Sequence, residues 1–71
     1  MKSIELFNYI KAEFDESLFL CLYFDSLPFI DIIIEKSKIS LIVPFLCTLS
    51  EYFFMDIHDK NEFHIIRLKE V

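Results

Sequence analysis

The clearest alternation of apolar and polar positions lies in the last third of the chain. Glu51 to Lys69 reads as one β-hairpin closed at Asp59-Lys60-Asn61-Glu62. Pairing Ile57 with His64, Met55 with Ile66 and Phe53 with Leu68 makes one face apolar apart from a single imidazole, as period-two alternation requires of a half-buried strand pair. The opposite face then pairs His58 with Phe63, Asp56 with Ile65, Phe54 with Arg67 and Tyr52 with Lys69. That face mixes aromatic and charged side chains, which suits a protein interface better than a core or an ordinary wet surface.

The amino-terminal stretch has the other period. Leu6, Phe7, Ile10 and Phe14 fall within a narrow arc at helical spacing, with Glu5, Asn8 and Ala12 opposite. Ser3 is placed to cap this helix, Glu5 sits favourably in its first turn, and Asp15-Glu16-Ser17 ends it. Leu18 to Phe24 is apolar on both faces and predicts an interior strand covered on each side. Asp25-Ser26-Leu27-Pro28 then punctuates the chain.

Phe29 to Glu35 is ambiguous between strand and helix. Three consecutive β-branched residues, Ile32, Ile33 and Ile34, favour a strand. A hairpin closed at Glu35-Lys36-Ser37-Lys38 would set Ile34 against Ile39, Ile32 against Leu41 and Ile30 against Val43. The competing reading makes residues 26–37 a second helix, with Pro28 in its first turn. Pro44 ends this region, and Phe45 to Ser50 reads as a short connector. Thr48 and Glu51 have capping-box spacing, in conflict with the strand that follows.

The expected fold is α+β: one domain over residues 1–71, with an amphipathic helix on an antiparallel sheet of about five strands ending in the 51–69 hairpin. The alternative is two helices over a three- to four-stranded sheet. So short a chain holds a small core, but with 55% hydrophobic residues and nine Phe each position can bury more than average. The same content leaves more apolar surface than a small body hides, which favours self-association, with a homodimer as the expected state.

Composition also removes functions. With no Gly at all, the phosphate-binding loop, the dinucleotide fingerprint and the nucleophile elbow are all missing. The net charge is −5, and residues 1–35 carry most of it, with seven acids against Lys2 and Lys11. An acidic chain with scattered bases is a poor direct ligand for nucleic acid. Asp15, Glu16, Asp25, Asp31 and Glu35 would share an acidic surface if the strands ran as drawn, and such a surface could imitate nucleic acid in a basic groove. Solubility alone accounts for a charge of this size.

Candidate chemistry is sparse. Asp56-Ile57-His58-Asp59 with Glu62 and His64 is the single cluster holding imidazole and carboxylate, and the register above puts the two histidines on opposite faces. A metal or His-dependent enzyme would need assembly at a dimer interface. Cys21 and Cys47 lie in apolar runs, form no CxxC pair and read as buried, so neither is placed as a nucleophile. No cofactor or metal is implied.

The amino terminus shows no cleavable apolar run, and the acids and prolines in residues 18–50 disfavour a membrane-associated peptide. The expected location is therefore a reducing cytoplasm. The functional expectation is a small acidic, non-enzymatic protein-interaction module, binding itself or a partner through Tyr52, Phe54, Phe63, Ile65 and Arg67. Size, acidity and an Ile-, Phe- and Lys-rich composition are shared with phage or mobile-element inhibitors of host proteins.

Overall fold

The computed structural model describes every residue from Met1 to Val71. The order of elements is α1 (Ser3–Glu13), β1 (Leu20–Tyr23), β2 (Phe29–Glu35), a 3₁₀ segment (Lys36–Leu41), α2 (Val43–Cys47), β3 (Phe53–Lys60) and β4 (Phe63–Glu70). The strands form one four-stranded antiparallel sheet in the order β1-β2-β4-β3. The fold is therefore α+β with an amino-terminal helix on the sheet, as expected. Its strand count, four where about five were expected, matches the two-helix alternative.

All helical segments lie against one face of the sheet. Leu6 and Ile10 of α1, with Ile42, Leu46 and Leu49 from the segment around α2, bury against Ile30, Ile32, Ile34, Phe53, Ile66 and Leu68. The alternation of β2 explains the arrangement, since its even-numbered isoleucines form one stripe under the helices. Phe14 extends the core at its margin by edge-to-face contacts with Phe19 and Phe45, with ring centroids 5.6 and 5.1 Å apart.

The expected second hairpin does not form. Residues 39–43 are not a strand; the chain leaves β2 at Glu35 and passes through the 3₁₀ segment into α2. Ile42, Leu46 and Leu49 are the buried residues here, and their spacings of four and three belong to a helical path. Pro44 sits in the first turn of α2, where its missing N–H is no loss. The alternative helix over 26–37 is also not formed, because Phe29–Glu35 is a strand and the second helical region follows it. The partner of β2 is instead the distant β4, with Ile32 opposite Ile66 and Ile30 opposite Leu68.

The carboxy-terminal hairpin is present, but its register differs from the expected one by two residues. Ile57 faces Ile66, Met55 faces Leu68 and Phe53 faces Glu70, leaving only Asn61 and Glu62 in the loop. Asn61 takes φ 58°, the left-handed conformation that a tight two-residue loop demands and that Asn tolerates. A slip of two preserves parity, so every side chain keeps its expected face. The new register also places Ile57 against Ile66 where the expected one placed it against an imidazole.

Two local expectations are corrected. β1 is not an interior strand; it is a four-residue edge strand, paired only with β2. Ser3 does not cap α1: Lys2 is the cap residue, and its N–H donates to Glu5 Oε1 at 2.9 Å. Ser3 is buried and clasps the end of β4, its N–H and Oγ both donating to Glu70 Oε2 at 2.8 and 2.7 Å. Thr48 starts no helix either, since its hydroxyl donates back to the Phe45 carbonyl.

The clasp makes stability pH-dependent. The Ser3 hydroxyl and N–H hold the Glu70 carboxyl below its ordinary value of 4.5. Lys69 does the same for Asp56, Lys36 for Asp59, and the Ser17 backbone for Asp15. Groups with lowered folded values contribute fully above their unfolded pKa and lose that contribution as pH falls through the folded one. Urea midpoints should therefore be flat near neutrality and fall in acid, starting close to pH 4.5. Glu70→Gln should lower the neutral midpoint and shrink the acid-induced drop, and an unchanged drop would show that the clasp contributes nothing.

Candidate functional site

With the helices on one side, the other side of the sheet is left open. Strand pairing arranges its side chains in rows that cross the sheet. One row runs Leu22, Asp31, Arg67, Asp56, and the next runs Leu20, Ile33, Ile65, His58. Phe29, Lys69 and Phe54 form a third row, and Glu35, Phe63 and Lys60 a fourth. Phe54 is 61% exposed, and Leu20, Tyr52 and Phe63 are exposed as well. A helix-free face that carries several large apolar side chains is a departure from the polar surface usual on an open antiparallel sheet.

The charged row is ordered. Arg67 donates from Nε to Asp31 Oδ1 at 2.9 Å and from Nη2 to Asp31 Oδ2 at 3.0 Å, a bidentate fork. The guanidinium also lies over the Phe29 ring, 4.0 Å from its centroid. Asp31 is only 7% exposed even though it belongs to the open face, because Arg67 covers it. Its hydrogen bonds to Asp31 hold Arg67 more firmly in the charged form. Lys69 pairs with Asp56 at 2.6 Å, which carries the charge pattern on to β3.

All five expected contact residues reach this face. Phe54, Phe63, Ile65 and Arg67 stand on it, and Tyr52 continues the same parity just before β3. The sequence reading missed the other half, supplied by Leu20, Leu22, Phe29 and Ile33 of β1 and β2. Ile33 and Asp31 were legible as sharing a face; their junction with Ile65 and Arg67 needs the long-range pairing of β2 with β4.

The expected acidic surface does not gather. Asp31 is neutralised beneath Arg67. Asp25 follows β1 beside Tyr23, which donates to it at 3.3 Å, whereas Asp15 and Glu16 precede the other end of that strand. Glu16 shares one groove with Asp15 and another with Glu35, and each groove also holds a lysine, Lys11 and Lys38 respectively.

The remaining chemistry is dispersed. His58 stands on the open face and His64 on the helix side, and no group of three or more His, Cys, Asp or Glu is placed to hold a metal. His64 Nδ1 is buried without a hydrogen-bond partner. Cys47 is exposed and Cys21 half-buried, where burial of both had been expected. Cys21 borders an open groove of about 450 Å³ with Lys11, Phe14 and Phe19, and desolvation pushes its thiol up to about 11. No helix is long and apolar enough to cross a membrane. Comparison with known proteins gives no matching family model, no matching curated protein and no matching solved structure.

Proposed function

We propose that the protein is a non-enzymatic interaction module that binds a second protein, itself or another, through the open sheet face. The observation that carries this reading is the exposure of Phe54 and its neighbours on a face no helix covers. Aromatic side chains beside an ordered arginine are the residue types that concentrate binding energy at interfaces. The Asp31–Arg67 fork fixes the middle of the face in advance, which lowers the ordering cost of binding. A largely apolar partner surface suits the exposed rings and the internally paired charges of this face. An inhibitor that occludes such a surface is the functional class this combination favours. The raised Cys21 thiol and the separation of His58 from His64 support a role without catalysis.

The test is Phe54→Glu with Phe63→Glu. Both rings project from the sheet, so the double variant should keep the wild-type circular dichroism and urea midpoint. Light scattering over a dilution series should show any face-to-face dimer reduced to the 8.6 kDa monomer, and any complex with another protein should be lost in parallel. A double variant that unfolds would place those rings in the core and remove the basis of the proposal.

A further inference from the structure

The free edge of β3 is a second feature, separate from the open face. β3 spans eight residues, is paired only on its β4 side, and is exposed along most of its length. The edge at β1, by contrast, has only four residues. Natural sheets usually shorten, cover or charge such edges, because their unpaired N–H and C=O groups template further pairing.

The direction of those groups follows from the ladder. The Tyr52 carbonyl accepts from the Val71 N–H on the β4 side. By alternation, Phe54, Asp56, His58 and Lys60 also turn their backbone groups toward β4. Phe53, Met55, Ile57 and Asp59 therefore present theirs to the open edge. Ile57, 45% exposed, and Met55, also exposed, continue the apolar helix-side face up to this edge without cover.

We propose that β3 pairs antiparallel with β3 of a second copy, centred on Ile57, to make one continuous eight-stranded sheet. Side-chain matching across the edge supports a second copy as the partner. With Ile57 opposite Ile57 of the copy, Asp56 faces the copy's His58 and Phe54 faces its Lys60, and each match occurs twice by symmetry. Moving the centre to Asp56 puts two carboxylates face to face. Moving it to His58 sets Asp56 against the copy's Lys60 but puts two imidazoles face to face, and cysteine cross-linking separates that register from the one centred on Ile57. The symmetry axis is perpendicular to the sheet, so the helices of both copies share one side. The open faces join on the other side and stay free, so the edge pairing does not depend on the open-face reading.

The experiment compares wild type, Ile57→Pro and Phe54→Glu with Phe63→Glu by sedimentation over a dilution series. The Ile57 N–H points out of the sheet, so proline there removes no hydrogen bond within the monomer. A dimeric wild type, a folded Ile57→Pro whose dimer dissociation constant rises roughly tenfold or more, and a double glutamate variant that stays dimeric are expected. A monomeric wild type at millimolar concentration overturns the edge pairing. So does a dimer lost in the glutamate variant and retained in Ile57→Pro, a result that would favour the open face as the self-contact.

Register is read by cross-linking in a chain with Cys21→Ser and Cys47→Ser. Ile57→Cys should oxidise to a covalent dimer, since directly opposed Cα atoms lie about 5.5 Å apart. Met55→Cys or Asp59→Cys alone should not cross-link, whereas the two mixed should. Failure of Ile57→Cys to cross-link overturns the assigned register even if Ile57→Pro fails to fold.

Discussion

Ile32→Ala is expected to abolish most of the folding free energy of this protein. Ile32 is fully buried at the centre of β2, with Cys21 of β1 on one side, Ile66 of β4 on the other, and the helices above. Truncating such a residue removes the transfer free energy of its lost carbons and leaves a cavity, together about 3–4 kcal/mol. A chain of this length draws only roughly 3–5 kcal/mol from its core, so the variant should sit near the midpoint of unfolding without denaturant. Ile33→Ala, one residue along on the open face, should cost less than about 1.5 kcal/mol. Urea titration of both variants at one temperature tests the pair. Equal losses would show that the open face is packed as tightly as the helix side, contrary to the arrangement described above.

The second large effect concerns Asp31 and Arg67. Arg67→Met should destabilise the protein more than simultaneous replacement by Asp31→Leu and Arg67→Met. The single change strands a carboxylate that is almost wholly shielded from water, and the double change removes both charges. Water reaches the guanidinium of Arg67, so the loss is smaller than for a pair sealed in a core. A double-mutant cycle on urea midpoints measures the coupling, and additive losses would mean that the fork contributes no specific interaction. If the open face binds a partner, the apolar double variant should remain folded while the affinity changes. The pair would then set the polarity of the face in addition to stabilising it.

What the sequence disclosed follows from the range of the physics involved. Leu6 and Ile10 were legible as core because helical periodicity is local. The two faces of the last hairpin were legible because alternation survives a slip of two residues, although the register did not. Ile39 to Val43 was misread, since so short a stretch, apolar except at Ser40, satisfies both periods and only burial of Ile42 with Leu46 and Leu49 separates them. Ser3 looks like a cap from its neighbours alone, but its partner Glu70 is 67 positions away. The open face was half visible for the same reason. Phe54, Phe63, Ile65 and Arg67 lie in one hairpin, whereas Leu20, Leu22, Phe29 and Ile33 join them only through strand pairing that no local pattern encodes.

The clasp between Ser3 and Glu70 has a topological consequence. It brings the first helix and the last strand to a common corner, on the helix side of the sheet, so the folded chain is nearly a closed ring. Joining Val71 to Met1 through a short linker would therefore add little closure entropy, and the Asn61-Glu62 turn offers an exposed point at which to open new ends. Such a permutant would begin with β4 and end with β3, turning the outer β4–β3 ladder of the sheet from a hairpin into a contact between the two ends of the chain. A probe fused to Met1, by contrast, would start from the helix side of the sheet, next to the Ser3 clasp and across the sheet from Phe54.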